Sequence, residues 1–242
     1  MELTYAGQRY YAHVERILSQ KREMDAEMMD ILRSDRGVLY VGIPPFRCSF
    51  SLPKVLPIFH KEFPQVQFRI VEAPSAVLDQ KLLNGEIDLA FYMSFERITG
   101  LSYQVMHSDK MYAILSKGHP LEAKAAQIGE FSLEWLAGQT LLLQNRTQRQ
   151  GQYILQELEK RRIQPAEILE SSNIRAAAAL AANGYGIGFL SGELLEHLEL
   201  DIPFGAYPLQ DCALHIESVA AWRTGDYLPR YAQTFIRLME QI

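Results

Sequence analysis

With 242 residues, 48% of them hydrophobic, the chain is long enough to bury one large core or two smaller ones, so a globular fold is expected. A formal net charge of −5 excludes a broad basic surface of the kind that grips nucleic acid by releasing counterions. The two cysteines, Cys48 and Cys212, stand in no CxxC or metal-ligand spacing, which excludes a disulfide framework or a zinc site and fits a reducing cytoplasm.

The first segment, MELTYAGQRYYAHVERIL, is charged and amphipathic, with neither the apolar core of a signal peptide nor a span long enough to cross a bilayer. From Thr4 to about Leu32 there is no proline and a single glycine, Gly7, which predicts one long helix with Thr4 as its N-cap. Tyr10, Val14, Ile17, Met24, Met28 and Ile31 follow alternating steps of four and three, with Lys21 as the polar member of the row. Such a narrow stripe is read as a coiled-coil dimer seam; the alternative is a helix lying on its own domain.

Ser34 to Gly37, "SDRG", ends that helix. Val38–Ile43 is a short apolar strand, and Leu52, Val55, Leu56, Phe59 and Phe63 then recur at helical spacing. "FRIVEA" is a second strand, "SAVLDQKLLNG" a helix opened by Ser75 and stopped by Gly85, and "EIDLAFY" a third strand. This alternation implies a mainly parallel sheet with helices on both faces. At Gly118-His119-Pro120 the pattern restarts, with a strand at Thr140–Gln144, a helix from about Arg149 to Arg162, the strand "EILES", a helix around "IRAAAALAANG" and a strand at Gly186–Leu190. A β-rich run, "LHIESVAAWR", and an amphipathic helix, "LPRYAQTFIRLMEQI", close the chain. Assigning this closing pair back to the first domain gives a linker helix at 1–36, one subdomain at 37–119 with 213–242, and another at 120–212.

In open α/β sheets, ligands sit outside the carboxyl ends of strands, where helix N-termini present unpaired N–H groups and a positive dipole end. Four loops hold that position: Pro44–Ser51, Ala73–Ser75, Asn145–Gln148 and Ser171–Asn173. All carry hydroxyl or amide side chains, and Arg47 and Arg146 add guanidinium groups suited to a carboxylate. Taken singly, Ser75, Ser172 and Asn173 are also ordinary N-cap residues, and the two arginines are also ordinary surface residues. Cys48, beside Arg47 near a helix start, is the setting of a lowered thiol pKa, yet no histidine is paired with it in the sequence. The six histidines show no metal spacing. Glu86 and Asp88 fall on one side of a strand start and are read as satisfying local backbone. "GYGIGF" precedes a strand instead of joining strand to helix, so it is no nucleotide loop.

Taken together, "LTYAG" opening a long helix, "GVLYVGIPPF…LPKVLPIFHKEFPQVQFRIVEAPSAVLDQKLLNGEIDLAF", "AILSKGHPL" and "AALAANGYGIGFLSGELL" resemble the LysR-type transcriptional regulators, from their linker helix through their effector-binding domain. The resemblance covers essentially the whole chain. It implies two Rossmann-like subdomains of the type II periplasmic-binding-protein kind behind a long N-terminal helix, with a small metabolite, a carboxylate or other small anion, in the interdomain cleft of a homodimer or tetramer. Carried over by position, the ligand contacts are Pro45, Phe46, Arg47, Cys48, Ser49, Ser75, Asn145, Arg146, Thr147, Ser172 and Asn173. The family's winged helix-turn-helix is not represented here, so DNA contact is expected only through that module. No catalysis, cofactor, metal or membrane is expected. Cys48 departs from the small or hydroxylic residue of many relatives, and Cys48 with Cys212 does not reproduce the cysteine pair of the peroxide-sensing members. The other readings are a solute-binding protein, which shares the bilobed fold, and an enzyme with a phosphate cleft, for which no base or metal set is found.

Overall fold

The structure, a computed structural model, describes residues 3–32, 36–146, 148–210 and 216–242, with positions 12 and 26 described by their backbone. Thr4 opens α1 (Tyr5–Ile31) as an N-cap, its Oγ1 accepting the Gly7 N–H at 3.2 Å. Ser34, read as the start of the break after this helix, lies outside the described residues. The elements that follow are β1 (Gly37–Ile43), α2 (Pro45–Glu62), β2 (Val66–Glu72), α3 (Ser75–Asn84), β3 (Leu89–Ser94), β4 (Leu101–Asp109), β5 (Met111–Ser116) and α4 (Pro120–Ile128). After a 3-10 turn at Leu133–Leu136 come β6 (Thr140–Gln144), α5 (Arg149–Arg161), β7 (Glu167–Ser171), α6 (Ile174–Ala182), β8 (Ile187–Ser191), α7 (Gly192–Glu196), β9 (Phe204–Pro208), β10 (Ile216–Arg223) and α8 (Arg230–Glu240).

Two five-stranded sheets result, ordered β2-β1-β3-β10-β4 and β7-β6-β8-β5-β9. In the first, β1 runs parallel to both β2 and β3. In the second, β6 is parallel to β7 and β8, but β5 is antiparallel to β8 and β9. The mainly parallel expectation therefore holds for half of the second sheet. Alternating strand and helix patterns reveal parallel crossovers, whereas β9 is a sheet edge whose Gly205 and Pro208 read as loop residues in the sequence.

The chain forms two compact units, one of residues 1–92, 96–106 and 219–242, the other of 93–95 and 107–218. Gly118-His119-Pro120, taken from sequence as the boundary, lies inside the second unit, because β5 just before it is already paired with β8 and β9. In the first unit Leu39, Val41 and Ile43 of β1 pack with Val55 and Phe59 of α2 and with Phe63 at its C-cap. Helix α8 closes this core: its Phe235 ring lies 5.3 Å from Phe59, 5.5 Å from Phe91 and 4.9 Å from Phe68. Tyr231, Ala232, Phe235, Ile236 and Met239 are all buried, and each large side chain contributes about 1.5–3 kcal/mol through burial. The second core gathers Leu141 and Leu143 of β6, Ile187 and Phe189 of β8, and Tyr153, Ile154 and Leu158 of α5.

One side of α1 lies on the first unit. Arg22 Nη2 donates to the Gly85 carbonyl at 2.5 Å, Glu23 Oε1 accepts the Tyr227 N–H at 2.5 Å, and Asp30 Oδ2 accepts from the Tyr227 hydroxyl at 2.9 Å and the Arg230 N–H at 2.8 Å. Gly85 ends α3 with φ +74°, and a Cβ there would meet Ser19 Oγ at 2.5 Å, so its missing side chain serves both the cap and the approach of α1. Tyr10, Ile17, Met24, Met28 and Ile31 of the apolar row are exposed. The reading of a helix lying on its own domain is thus met by its polar side, while the apolar row is left exposed. Among the described residues, no helix is long and apolar enough to cross a membrane.

Candidate functional site

In the first unit, β1 ends at Ile43 and α2 begins two residues later, with Pro44 at the cap position and no side-chain cap. Pro45 at the first helical position has no N–H to satisfy and a backbone angle already suited to the helix. Pro45 and Ser49 are exposed, Phe46 and Cys48 half-buried, and Arg47 buried. The Ser51 hydroxyl donates to the Arg47 carbonyl at 2.8 Å, and Ser49 Oγ donates to the Phe46 carbonyl at 2.7 Å. Arg47 is therefore no solvated surface cation, as it was one alternative to read it.

Cys48 is not the activated thiol that its place beside Arg47 could have made it, in keeping with its lack of a histidine partner in the sequence. Burial, then the charge of Glu72 and a hydrogen bond with it, push the thiol up to about 11. Its N–H is already bonded to the Pro44 carbonyl at 2.9 Å, so Cys48 lies past the unpaired donors that lower a thiol pKa at a helix start. It is a protonated thiol at neutral pH. Cys212 lies outside the described residues.

Ser75 differs from its expected role too. The cap position of α3 belongs to Pro74, and Ser75 is the first helical residue, so its hydroxyl does not cap. The residue is buried, at 7% exposure. Glu86 and Asp88 depart from the local-backbone reading: Glu86 pairs with the Lys81 side chain at 2.5 Å, and Asp88 Oδ2 accepts a backbone N–H, but that of the distant Tyr40, at 2.8 Å.

In the second unit, Asn145 follows β6, donates its N–H to the Ser171 carbonyl at 3.2 Å and accepts the Gln148 N–H at 2.9 Å. Arg146 is exposed and pairs with Glu170 at 3.3 Å. Thr147 lies outside the described residues. Helix α5 starts with no side-chain cap from Gln148, and a Cβ on its Gly151 would fall 1.9 Å from the Gln144 carbonyl oxygen; glycine lets the helix begin directly against the strand end. Ser172 is exposed and its carbonyl accepts from Gln148 Nε2 at 3.1 Å. Asn173 does cap α6, with Oδ1 accepting the Ala176 N–H at 3.1 Å.

Two residues that sequence reasoning passed over hold the start of α5. The buried Arg149 donates from Nη1 to Ser94 Oγ at 2.9 Å, and the buried Gln150 donates to the Phe189 carbonyl at 2.7 Å. Their position at a predicted helix start directly after a candidate loop was the available signal; their burial was not.

Of the four helices behind the predicted loops, α2, α3 and α5 begin without a side-chain cap, and α6 alone is capped by its own residue. Each uncapped start offers unpaired N–H donors and roughly half a positive charge. That chemistry suits a small anion. None of the candidate residues is a carboxylate or an imidazole, so they supply no general base. Nor do they belong to the group of described residues close enough to share a metal ion, which is His107, Asp109 and Glu193.

A family model for the LysR substrate binding domain matches residues 32–242. The chain belongs to this family. The LysR domain is 22% identical over 236 residues to the uncharacterized HTH-type transcriptional regulator YybE of Bacillus subtilis (strain 168), an alignment spanning 97% of this chain and 78% of that protein. In fold it is similar to the C-terminal domain of a probable LysR family transcriptional regulator from Rhodococcus sp. RHA1, with a TM-score of 0.71 at 21% identity over 84% of this chain and 98% of the other. It is similar as well to the BenM effector binding domain with its effector benzoate, with a TM-score of 0.68 at 16% identity over 84% of this chain and 90% of the other. The fold is thus the expected one, two α/β units of the type II periplasmic-binding-protein kind with an N-terminal helix. A solute carrier is not favoured for a LysR domain whose relatives are transcriptional regulators.

Proposed function

We propose that this LysR domain is the sensing part of a transcriptional regulator and that its effector is a small carboxylate or similar anion. Pro45 to Ser49 with Ser75 in one unit, and Asn145 to Thr147 with Ser172 and Asn173 in the other, are the positions that recognise it. The observation that carries this reading is the start of α3: the hydroxyl of the buried residue Ser75 in the first turn of a helix with no side-chain cap. The uncapped starts of α2 and α5 support it, and so does benzoate, a carboxylate, as the effector of a domain with this fold. No residue of the set is a base or nucleophile in working form, so the domain binds and does not catalyse. Self-association through α1 and DNA contact through a winged helix-turn-helix, in the cytoplasm, complete the reading; the net charge of −5 is in keeping with DNA contact made elsewhere. An effector acts only through different affinities for two states, with a coupling of about 1–3 kcal/mol being typical.

Thermal melting against a panel of aromatic and aliphatic carboxylates, amino acids and inorganic anions tests the proposal, because a ligand that binds the folded state raises its melting temperature. A carboxylate that stabilises the parent and loses at least tenfold in affinity in Ser75→Ala, with the ligand-free melting temperature held within about 2 °C, is the expected result. Stabilisation that is equal in parent, Ser75→Ala and Ser49→Ala, or that comes only from uncharged compounds, rejects it.

A further inference from the structure

We infer that His107, Asp109 and Glu193 form a site for one divalent transition-metal ion, zinc being the best fit, outside the residues proposed for the effector. His107 and Asp109 are two apart on β4, and strand alternation places both side chains on one face. Glu193 comes from a distant part of the chain, at the second residue of α7, and no spacing rule would join it to them.

Asp109 makes the junction. Its Oδ1 accepts the Gly192 N–H at 3.1 Å and the Lys110 N–H at 2.6 Å, and its Oδ2 accepts the Glu193 N–H at 2.9 Å. A Cβ at position 192 would stand 2.5 Å from Asp109 Oδ1, so glycine is what allows this approach. These bonds fix the carboxylate and, through its backbone, Glu193. Oδ1 is filled by its two bonds, Oδ2 keeps one lone pair for a further partner, and a carboxylate held by backbone N–H groups is the usual outer support of a metal ligand.

The remaining distances fit an ion pair between His107 and Glu193 and also leave the spacing that a shared metal ion needs. His107 Nε2 and Glu193 Oε2 are 3.5 Å apart, beyond the usual 2.7–3.2 Å of an N–H···O hydrogen bond. Four donors placed tetrahedrally at about 2.1 Å from zinc lie about 3.4 Å from one another. One donor atom from each of the three residues lies within 4.8 Å of the other two, so closure onto an ion needs a side-chain adjustment of about 1 Å. One imidazole and two carboxylates form a nitrogen and oxygen set that suits zinc, cobalt or nickel better than calcium or magnesium. His107 is 41% exposed in its side chain and Glu193 14%, which leaves a route for the ion and a coordination position for water.

The test uses the full chain stripped with EDTA and titrated with cobalt(II) chloride, followed by its visible absorption, and with zinc chloride in competition. One equivalent bound at micromolar affinity, with absorption of tetrahedral intensity displaced by zinc, is expected. His107→Ala and Glu193→Gln should each weaken binding at least tenfold and abolish that absorption, while the metal-free melting temperature stays within about 2 °C of the parent. His60→Ala, at an exposed histidine on α2, should bind as the parent does. Absence of saturable binding below millimolar metal overturns the inference. So does a His107→Ala chain that titrates like the parent, or loss of the site in His60→Ala.

Discussion

Asp88 is held by the Tyr40 N–H at the floor of the junction between α1 and the first sheet, and burial raises its carboxyl to about 6, against the pull of Arg22 and Arg223. Asp226 adds to the upward shift, and Tyr231 and Glu23 line the small cavity beside it. Because the folded value lies above the unfolded 3.8, the folded chain keeps a proton between these values that the unfolded chain has lost. The stabilising contribution is therefore complete below about pH 4 and is lost as pH rises through about 6. Asp88→Asn keeps an acceptor for Tyr40 and removes the titration. The variant is expected to gain on the parent by on the order of 2 kcal/mol between pH 4 and 7, measured by urea unfolding at several pH values. A difference that stays flat over that range refutes the assignment. That Asp88 takes up a backbone N–H was legible in the sequence, but not that the N–H belongs to the distant Tyr40, that Glu86 pairs with a side chain instead, or that burial makes Asp88 titrate late. Cys48 shows the same limit. Its neighbours in sequence suggest an activated thiol, whereas Glu72, from the next strand, and burial together oppose ionisation.

Among the elements, α1 was the most legible, since its cap, length and apolar row all follow from residues within a few turns. What sequence could not give was the use of its other side, because Gly85, Tyr227 and Arg230 are brought to it by the fold. With the polar side occupied, the exposed Ile17 and Met24 remain for a second helix. Replacing both by Glu is expected to weaken self-association at least tenfold in sedimentation equilibrium and to leave the melting temperature of dilute protein within about 2 °C. Unchanged association rejects the seam. The short elements were least legible: α7 has five residues, too few for a helical period, and β9 carries a glycine and a proline. The candidate loops were found by type and place, yet Ser75, Arg47 and Arg149 drew their significance from burial, which no local pattern encodes.

At the scale of the whole molecule, each unit has its own sheet and its own core, and the first is completed by the end of the chain. Phe235→Ala, which removes the ring contacted by Phe59, Phe68 and Phe91, should cost about 3–5 kcal/mol and speed hydrogen exchange in β1, β3 and β10 far more than in β6 and β8. Equal acceleration in both sheets would show that the two cores do not respond separately. The alternation of strands and helices made the two-unit plan legible. The passage at 106–107 was not, because β4 and β5 follow one another as strands with no helix between them to mark the change of sheet.

The central position of β10 between β3 and β4 has a consequence for synthesis. A ribosome delivers β1, β3 and β4 first, but β10, the strand that joins β3 to β4, begins only at Ile216, at the end of the second unit's 107–218. At about 5–20 residues per second, roughly 6–20 s separate β4 from β10. The inserted unit can therefore fold on the nascent chain while its host still carries two unpaired strand edges. Within these residues the inserted unit can be finished before the unit that hosts it.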